Sequence, residues 1–349
     1  MILHMDNFAI YGTTTALLTQ GVYVQQNGAA LVTDPETGVG LVLRGGTIDE
    51  DVVRFAFPAG AVATCGAAYR GWSPALPEND TALNTAVKFA GAGNQKLLQV
   101  GVTSNGRIRA RLQDATNTTV DYNSAAPVVT ANGWWHYEVK YTKTGTNTCD
   151  FEVRVEGQTV LQQTGVSCLD IQPAQCSIGT RINGAQLPKD PYFKDYVIWD
   201  GTGSYNNNFL GSVLVTNLTP TSDVALNWTP STGSTGYEIL DNIPPDDAQY
   251  LSAGAPAPSP YVAGLSNLPA NITSVRALQT RVRAAKSDGG DGSLQVSVIS
   301  NGFTSNGSNR PITVTQTYWS DVFETDPNTG NPWLPSAVDD AQLQLNRTA

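Results

Sequence analysis

The sequence predicts an all-β protein, and three observations support this prediction. Apolar and polar residues alternate with a period close to two along most of the chain, which is typical of half-buried strands. Turn-forming residues, above all Gly, Asn, Thr and Pro, separate these stretches. No window of helical length keeps the helical apolar period of about 3.6 residues. The 349 residues suffice for about two domains of roughly 150 residues each.

Composition excludes several classes of partner. Charged residues make up 14% of the chain, and 20 Lys and Arg against 30 Asp and Glu give a formal net charge of −10. Because nucleic acids and anionic membrane surfaces bind patches of Lys and Arg, and the sequence has no basic run, we expect neither as a partner. No apolar stretch approaches the roughly 18 residues that a membrane-spanning helix needs.

The first strands come from short alternating stretches. Four of them are predicted at residues 22–26, 40–44, 52–57 and 86–90. A hairpin follows, in which residues 97–102 connect through Ser104-Asn105-Gly106 to residues 107–112, because Asn-Gly tolerates the positive φ of a tight turn. In the second strand of this hairpin, three arginines alternate with Ile, Ala and Leu, as a strand with one solvated face requires.

The clearest strands form an antiparallel meander in the middle of the chain. Residues 134–141 alternate strictly, Thr144-Gly145-Thr146-Asn147 turns the chain, and residues 151–156 and 158–163 continue the pattern on either side of Glu156-Gly157. Two further strands are predicted at residues 192–199 and 209–215.

The composition changes after about residue 225, where Pro, Gly, Ser and Asp become frequent, and this change predicts the domain organisation. We expect a β domain over residues 1–225, an extended Pro- and Gly-rich linker or arm over 226–262, and a smaller β domain over 263–349. The predicted strands of the smaller domain are residues 275–285, 294–300 and 312–319. Residues 335–345 form the one predicted helix, with Ser336 as its N-cap.

Four cysteines bear on the redox state of the chain. Cys65, Cys149, Cys168 and Cys176 contain no Cys-x-x-Cys pair, and the chain is too long to need disulfide staples. Reduced, half-buried thiols are therefore the expectation. A bridge between Cys168 and Cys176 is the alternative in an oxidising compartment.

A family resemblance rests on ordered motifs of the meander and beyond. Gly-Trp-Trp-His-Tyr-Glu-Val at 133–139 and Phe-Glu-Val-Arg-Val-Glu-Gly at 151–157 resemble the laminin-G-like, concanavalin-A-like jelly roll. Residues 192–201, 206–211, 244–247 and 324–333 extend the likeness to tailed-bacteriophage virion proteins that carry such a jelly roll and a second, smaller β unit. The sequence departs from this group at Lys194, where an acid is expected, which weakens a metal site at that strand.

The resemblance implies a non-enzymatic structural component of a virion, assembled in the host cytoplasm. A tail-associated role, as a minor tail, fibre or baseplate protein, is preferred. Its expected partners are other virion proteins and further copies of the same chain. One alternative is a capsid decoration or head-fibre protein. Another is a carbohydrate-binding module that adsorbs to glycans of the host surface.

No catalytic residue is expected. The Glu-x-Asp-x-x-Glu pattern of jelly-roll endoglucanases is absent, and Asp49-Glu50-Asp51 is interpreted as a solvated turn because adjacent strand residues point to opposite faces. The chain has two histidines. His136 is interpreted as a packing residue and His4 as part of a mobile end. Glycan hydrolysis by a divergent jelly roll stays as a third hypothesis.

Two binding sites are predicted from side-chain chemistry. Asp200, Asn206 and Asn208 offer oxygen ligands to calcium, the one cofactor that the sequence suggests; the alternative is an Asx turn without an ion. Exposed aromatic side chains can stack on sugar rings. The candidates for this role are Trp72, Trp134, Tyr205 and Trp333. Their alternative role is in a core or an interface.

Overall fold

The computed structural model describes residues 1–19, 23, 25–26, 30–45, 53–77, 83–180, 191–254 and 259–348. The chain divides into two compact units, the first comprising residues 1–19 and 23–215 and the second beginning at residue 216. Antiparallel strands dominate both units, which confirms the all-β prediction. The acidic tripeptide at 49–51 lies outside the described residues, as does part of the strand predicted at 22–26.

The first unit contains fifteen strands within the described residues, along with a 3-10 helix at Ala9–Tyr11 and a short helix α1 at Thr14–Thr19. The first eight strands are β1 Ile2–Asp6, β2 Gln25–Gln26, β3 Ala30–Thr33, β4 Leu41–Arg44, β5 Val53–Ala56, β6 Thr64–Trp72, β7 Asn84–Ala90 and β8 Lys96–Val102. The other seven are β9 Ile108–Gln113, β10 Thr119–Asn123, β11 Trp134–Gly145, β12 Thr148–Val155, β13 Gln158–Ser167, β14 Gln175–Thr180 and β15 Tyr192–Asp200.

These strands form two large sheets. Sheet A has the order β13-β12-β11-β6-β15-β4-β3, with β1 also paired to β15, and sheet B has the order β10-β9-β8-β7-β14-β5-β2. Side chains of the two sheets meet in the core. The His4 ring of sheet A stacks on Phe55 of sheet B at 4.7 Å, and the Tyr196 hydroxyl of sheet A donates to Cys176 Sγ of sheet B at 3.2 Å. The predicted jelly-roll sandwich is thereby confirmed.

Both predicted hairpins are present. Gly106 adopts φ +75°, and a Cβ there would lie 2.3 Å from the carbonyl oxygen of Val129, so the turn between β8 and β9 requires glycine. Glu156 and Gly157 have φ of +49° and +78°, the backbone of a tight turn between β12 and β13. The alternation of β11 and β12 places one set of side chains in the core and the other on the outer face of sheet A, away from sheet B.

The strand predicted at residues 209–215 is wrong. This segment, with Asn208 before it, runs over the outer face of sheet A without pairing as a strand, and we call residues 208–215 the strap. Buried carboxylates satisfy part of its backbone: Glu138 Oε1 accepts from the N–H of Leu210 at 2.6 Å, and Asp195 Oδ1 from that of Val215 at 3.0 Å. Its apolar residues suggested a strand, but Leu210 is buried and Leu214 is exposed, without the two-residue period of a paired strand.

The second unit contains the remaining strands and two short helices. These are β16 Pro220–Ala225, β17 Thr229–Pro230, α2 Tyr237–Leu240, β18 Leu251–Ser252, β19 Tyr261–Leu265, β20 Leu278–Ala284, β21 Ser293–Ser300, β22 Phe303–Asn306, β23 Arg310–Pro311, β24 Thr317–Phe323, α3 Pro335–Asp339 and β25 Gln342–Arg347. Its largest sheet has the order β16-β19-β25-β21-β22, and β20 pairs separately with β24.

The segment predicted as a linker, residues 226–262, belongs to the second unit. It contributes Trp228 and Tyr261 to a core with Val296 and Leu345. The Tyr261 hydroxyl donates to Asp223 at 2.7 Å. Trp228 and Tyr261, at either end of this proline-rich segment, are buried, whereas Tyr250 between them is exposed.

The helix predicted at 335–345 is correct in its first half alone. Helix α3 ends at Asp339, and residues 342–347 form β25, which pairs with β19 and β21. Ser336 is not the N-cap, because Leu334 holds that position and Pro335 begins the helix. The strand predicted at 312–319 is displaced to residues 317–323.

All four cysteines are free thiols, and they are fully buried instead of half-buried. Burial raises the pKa of Cys149 to about 12, and the neighbouring Cys168 thiol adds to this shift.

Candidate functional site

Strand register brings three aromatic side chains into one row on the outer face of sheet A. Trp72 on β6 lies opposite Trp134 on β11 and, on its other side, opposite Tyr192 on β15. Their neighbours Tyr69, Tyr137 and Phe193 point into the core, so the row itself points outward. We call Trp134, Trp72 and Tyr192 the aromatic stripe.

The stripe is partly exposed and ordered by its own contacts. All three rings are partly buried. Trp72 and Tyr192 meet edge to face, with centroids 5.1 Å apart at 79°. Neighbouring strands are about 4.8 Å apart, so the stripe extends roughly 10 Å across the sheet. Arg44, opposite Tyr192 on β4, continues the same row.

An ion pair borders the stripe at Trp134. Lys194 Nζ lies 4.0 Å from the centre of the Trp134 ring and 2.8 Å from Asp34 Oδ2. The Trp134 indole N–H donates to the other oxygen of Asp34 at 3.4 Å. Burial opposes ionisation of Asp34, but the hydrogen bonds from Lys194 and from the backbone of Glu36 outweigh it and lower its pKa. A charged pair therefore stands beside the rings.

The next row of the sheet is more deeply buried and holds Arg70 opposite His136. Arg70 donates from Nη2 to Ser212 Oγ at 3.0 Å, and its Nε lies 3.3 Å from Asp195 Oδ2. Asp195 sits at a register shift of β15 with φ +54°. Burial raises its pKa, against the lowering effects of the Val215 N–H and of Arg70.

His136 is a buried residue of this row whose imidazole makes no hydrogen bond within the described part of the chain. Its side chain is 0% exposed, and neither ring nitrogen has a hydrogen-bond partner among the described residues. Its backbone N–H donates to Glu156 at 2.6 Å. Burial, and secondly the positive charge of Arg70, lower its pKa to about 4, so the ring is neutral at pH 7. This burial agrees with the interpretation of His136 as a packing residue.

The strap covers the sheet from one end up to this buried row. Lys140 donates to Asn208 at 3.0 Å, and Glu138 accepts from the N–H groups of Leu210 and Gly211. The Phe209 ring lies 3.7 Å from the guanidinium carbon of Arg154. Because the contacts of the strap with the sheet end at Arg70 and Asp195, the stripe one row further on keeps its exposure.

The predicted calcium ligands already have protein partners. Asp200 is buried, and its Oδ1 accepts from the backbone N–H and the hydroxyl of Thr202 at 3.0 and 2.6 Å, which is the Asx-turn alternative. Asn208 Oδ1 accepts from the cationic Lys140. No group of three or more His, Cys, Asp or Glu in the described part of the chain is arranged to hold a metal ion. Calcium binding stays a prediction.

The structure brings together two of the predicted sugar-binding residues, Trp72 and Trp134. Tyr205 lies apart from them. It comes shortly after Asp200, which ends β15 and pairs with Cys65 on β6. Cys65 is seven residues from Trp72 along β6, a distance of about 23 Å at 3.3 Å per residue. Trp333 is 2% exposed in the core of the second unit, which is its alternative role, and its indole N–H donates to the carbonyl of Phe323.

The other histidine is buried as well. His4 lies on β1, stacks on Phe55 and contacts Tyr23 at 3.2 Å and Asp6 at 3.5 Å, so its assignment to a mobile end is wrong. Sequence reasoning missed Tyr192, Arg70 and Lys194 as neighbours of the tryptophans. The strand pattern was visible, but register between strands distant in sequence was not.

Comparisons with known proteins found no matching family model and no matching curated protein. Among solved structures, the endo-β-1,4-glucuronan lyase from the fungus Trichoderma reesei is 11% identical, with 57% of this chain and 95% of that chain covered and a TM-score of 0.42. Alginate lyase vAL-1 from Chlorella virus is 11% identical, with 57% and 99% covered and a TM-score of 0.42.

Botulinum neurotoxin type C, whose cell entry is described as dependent upon interaction with two ganglioside molecules, is 13% identical, with 48% of this chain and 40% of that chain covered and a TM-score of 0.34. Within the described residues, no helix has the length and apolar character needed to cross a bilayer.

Proposed function

We propose that the first unit is a non-enzymatic carbohydrate-binding module and that the aromatic stripe contacts the sugar. The observation that carries this proposal is the register of Trp134, Trp72 and Tyr192, which lines up three partly exposed rings across adjacent strands. Rigid aromatic side chains offer large contact area to the C–H faces of sugars at little cost in conformational entropy.

The surroundings of the stripe supply the polar half of a sugar site. Pockets for small ligands combine apolar walls with a few placed hydrogen-bonding groups. Here Asp34 accepts from the Trp134 indole N–H, the Lys194 ammonium lies over the Trp134 ring, and Arg70 lies one row below. The site is built on paired strands, so its geometry does not have to form on binding.

A glycan array tests the proposal, followed by titration of the best-bound glycan. We expect Trp72→Ala and Trp134→Ala each to weaken binding about tenfold, the loss of roughly 1.4 kcal/mol of stacking. Tyr205→Ala is the matched control, since this aromatic residue lies away from the stripe, and it should leave the affinity unchanged. No binding by the wild-type chain, or equal loss in all three variants, would refute the proposal.

The proposal includes the absence of catalysis. A retaining or inverting glycosidase needs two carboxyl groups on either side of the bond to be cleaved. Beside the stripe, Asp34 is in an ion pair with Lys194, and Asp195 is buried under the strap. We expect no reducing ends and no unsaturated uronate from any polysaccharide that the chain binds. Release of either product, lost in Arg70→Gln, would overturn this part.

A second candidate function is a structural role in a tailed-phage virion, at the tail or, alternatively, as a head decoration. It is favoured by large apolar side chains that the second unit exposes, Val224, Tyr250, Phe303, Val314 and Leu334, at 53 to 65%. Exposed apolar side chains mark contacts with other chains where they join into one continuous patch. Other virion proteins and further copies of the chain are the proposed partners.

The virion role has its own test. Labelled electron microscopy of particles should place the chain on the tail, and light scattering should show an oligomer of the isolated chain. Label on the head would replace the tail assignment by the decoration alternative. Absence from purified particles would refute the structural role and leave the carbohydrate proposal standing.

A further inference from the structure

Positive charge is concentrated around the stripe although the chain as a whole is acidic. Arg44 shares the row of the stripe, and Arg70 and Lys194 occupy the next row of the same face. The whole chain has a net charge of −10. Asp34 and Asp195 pair with Lys194 and Arg70, but these carboxylates are 7% and 4% exposed and the two cations 24% and 28%, so the cations are the charges that a ligand at the stripe meets. Charge complementarity therefore favours an anionic ligand at this position.

Two of these cations retain capacity for a ligand. Lys194 is 24% exposed, and Arg70 is 28% exposed. An ammonium carries three N–H donors and a guanidinium five. Lys194 uses one toward Asp34, and Arg70 points Nε at Asp195 and Nη2 at Ser212. The charged partner of Lys194 is the carboxylate of Asp34, and that of Arg70 is the carboxylate of Asp195. Each cation therefore already has the position from which it can bind a carboxylate.

His136 supplies an independent observation. It lies opposite Arg70 on the same face, it is fully buried, and neither ring nitrogen has a hydrogen-bond partner among the described residues. A buried polar group without a hydrogen bond is energetically unfavourable. Because the ring nitrogens are inaccessible to solvent, a ligand oxygen can accept a hydrogen bond from the neutral imidazole only if the side chains that cover the ring move aside.

We infer that the stripe takes a sugar that bears a carboxylate, a uronate or sialate residue, with the ring against Trp134 and Trp72 and the carboxylate on Arg70 and Lys194. This inference rests on the proposed carbohydrate-binding function and adds the ligand class. Asp34 is then a competitor: it holds Lys194 until the carboxylate of the ligand shares it. His136 lies opposite Arg70 at the buried end of the site.

The test uses the full chain on an array that carries uronate and sialate oligosaccharides, each next to a neutral and a sulfated oligosaccharide of the same linkage. We expect the carboxylated member to bind at least tenfold more tightly than its neutral counterpart. Lys194→Gln and Arg70→Gln should each reduce this preference to threefold or less. Lys96→Gln, which replaces an exposed lysine on sheet B, is the charge-matched control and should keep the preference.

Asp34→Asn gives a change of opposite sign, because it removes the competing carboxylate: affinity for the acidic sugar should rise about threefold or more. Thermal unfolding of each variant shows whether it is folded, and the Asp34 and Lys194 variants keep the test decisive if Arg70→Gln unfolds the chain.

Equal or tighter binding of the neutral member, or binding of the sulfated member alone, overturns the inference while the carbohydrate-binding function stands. No binding to any glycan refutes the function itself.

Discussion

His136 should make the protein sensitive to mild acid, and His136→Phe should remove that sensitivity. The ring is buried without a hydrogen bond from the described protein, and its pKa falls from the ordinary 6.5 to about 4 on folding. Between these two values the unfolded chain binds a proton that the folded chain does not. Stability from this group is therefore complete above pH 6.5 and is lost as the pH falls toward 4.

The size of the effect follows from the two pKa values. Integration of the difference in proton binding from pH 7 to pH 5 gives a loss of about 2 kcal/mol in the free energy of unfolding. Asp195 acts in the opposite direction, because burial raises its pKa and the folded chain takes up that proton first. Comparison of the wild type with His136→Phe cancels Asp195, since both proteins contain it.

Urea unfolding of both proteins at pH 7 and pH 5 measures the difference. The transition of the first unit should weaken by about 2 kcal/mol more in the wild type than in His136→Phe. Because the chain has two histidines, NMR of labelled histidine gives two imidazole signals, and the variant assigns the one that belongs to His136. A His136 signal that titrates near 6.5, or equal acid destabilisation of both proteins, would refute this reasoning.

Three further predictions concern the packing of the first unit and the thiols. Glu138→Ala removes the acceptor of two N–H groups of the strap. We expect urea unfolding to show a loss of about 2–4 kcal/mol in the free energy of unfolding, part of which Glu138→Gln recovers. An unchanged midpoint in the Ala variant would contradict the role of the carboxylate. Gly66→Ala places a Cβ 2.0 Å from the Trp199 ring and should lower the free energy of unfolding by about 2 kcal/mol or more. Gly254→Ala, with open space around the new Cβ, is the control and should change it by at most ~1 kcal/mol. Equal Tm values for the two variants would show that the Trp199 ring moves freely. All four cysteines are at most 1% exposed, so a thiol reagent should label them at the rate of global or local unfolding, and labelling within the mixing time without denaturant would disagree with the structure.

The sandwich was predictable because alternation is a local property. The patterns that predict the meander and the Asn-Gly hairpin each lie within one continuous stretch of sequence. The structure has these strands within a few positions of the prediction. The strap was not predictable, because a short stretch rich in apolar residues suggests a strand even where it pairs with none. What distinguishes it is that Glu138 and Asp195, distant in sequence, supply the acceptors for part of its backbone.

The candidate site shows the same division. Trp72 and Trp134 were identified by residue type, and Tyr205 and Trp333 were chosen by the same criterion. Residue type states what a side chain can bind and says nothing of its exposure. Trp333 is buried, and Tyr205 belongs to a different part of the sheet.

By itself, the sequence determined the fold class, the two-sided character of the central strands and the acidity of the chain, because each depends on composition or on neighbours along the backbone. Tertiary structure alone decided that Trp134, Trp72 and Tyr192 share a row, that cations border it and that His136 is buried. The physical reason is register: a shift of one residue between two strands would turn the same side chains to the opposite face, and long-range packing fixes that shift.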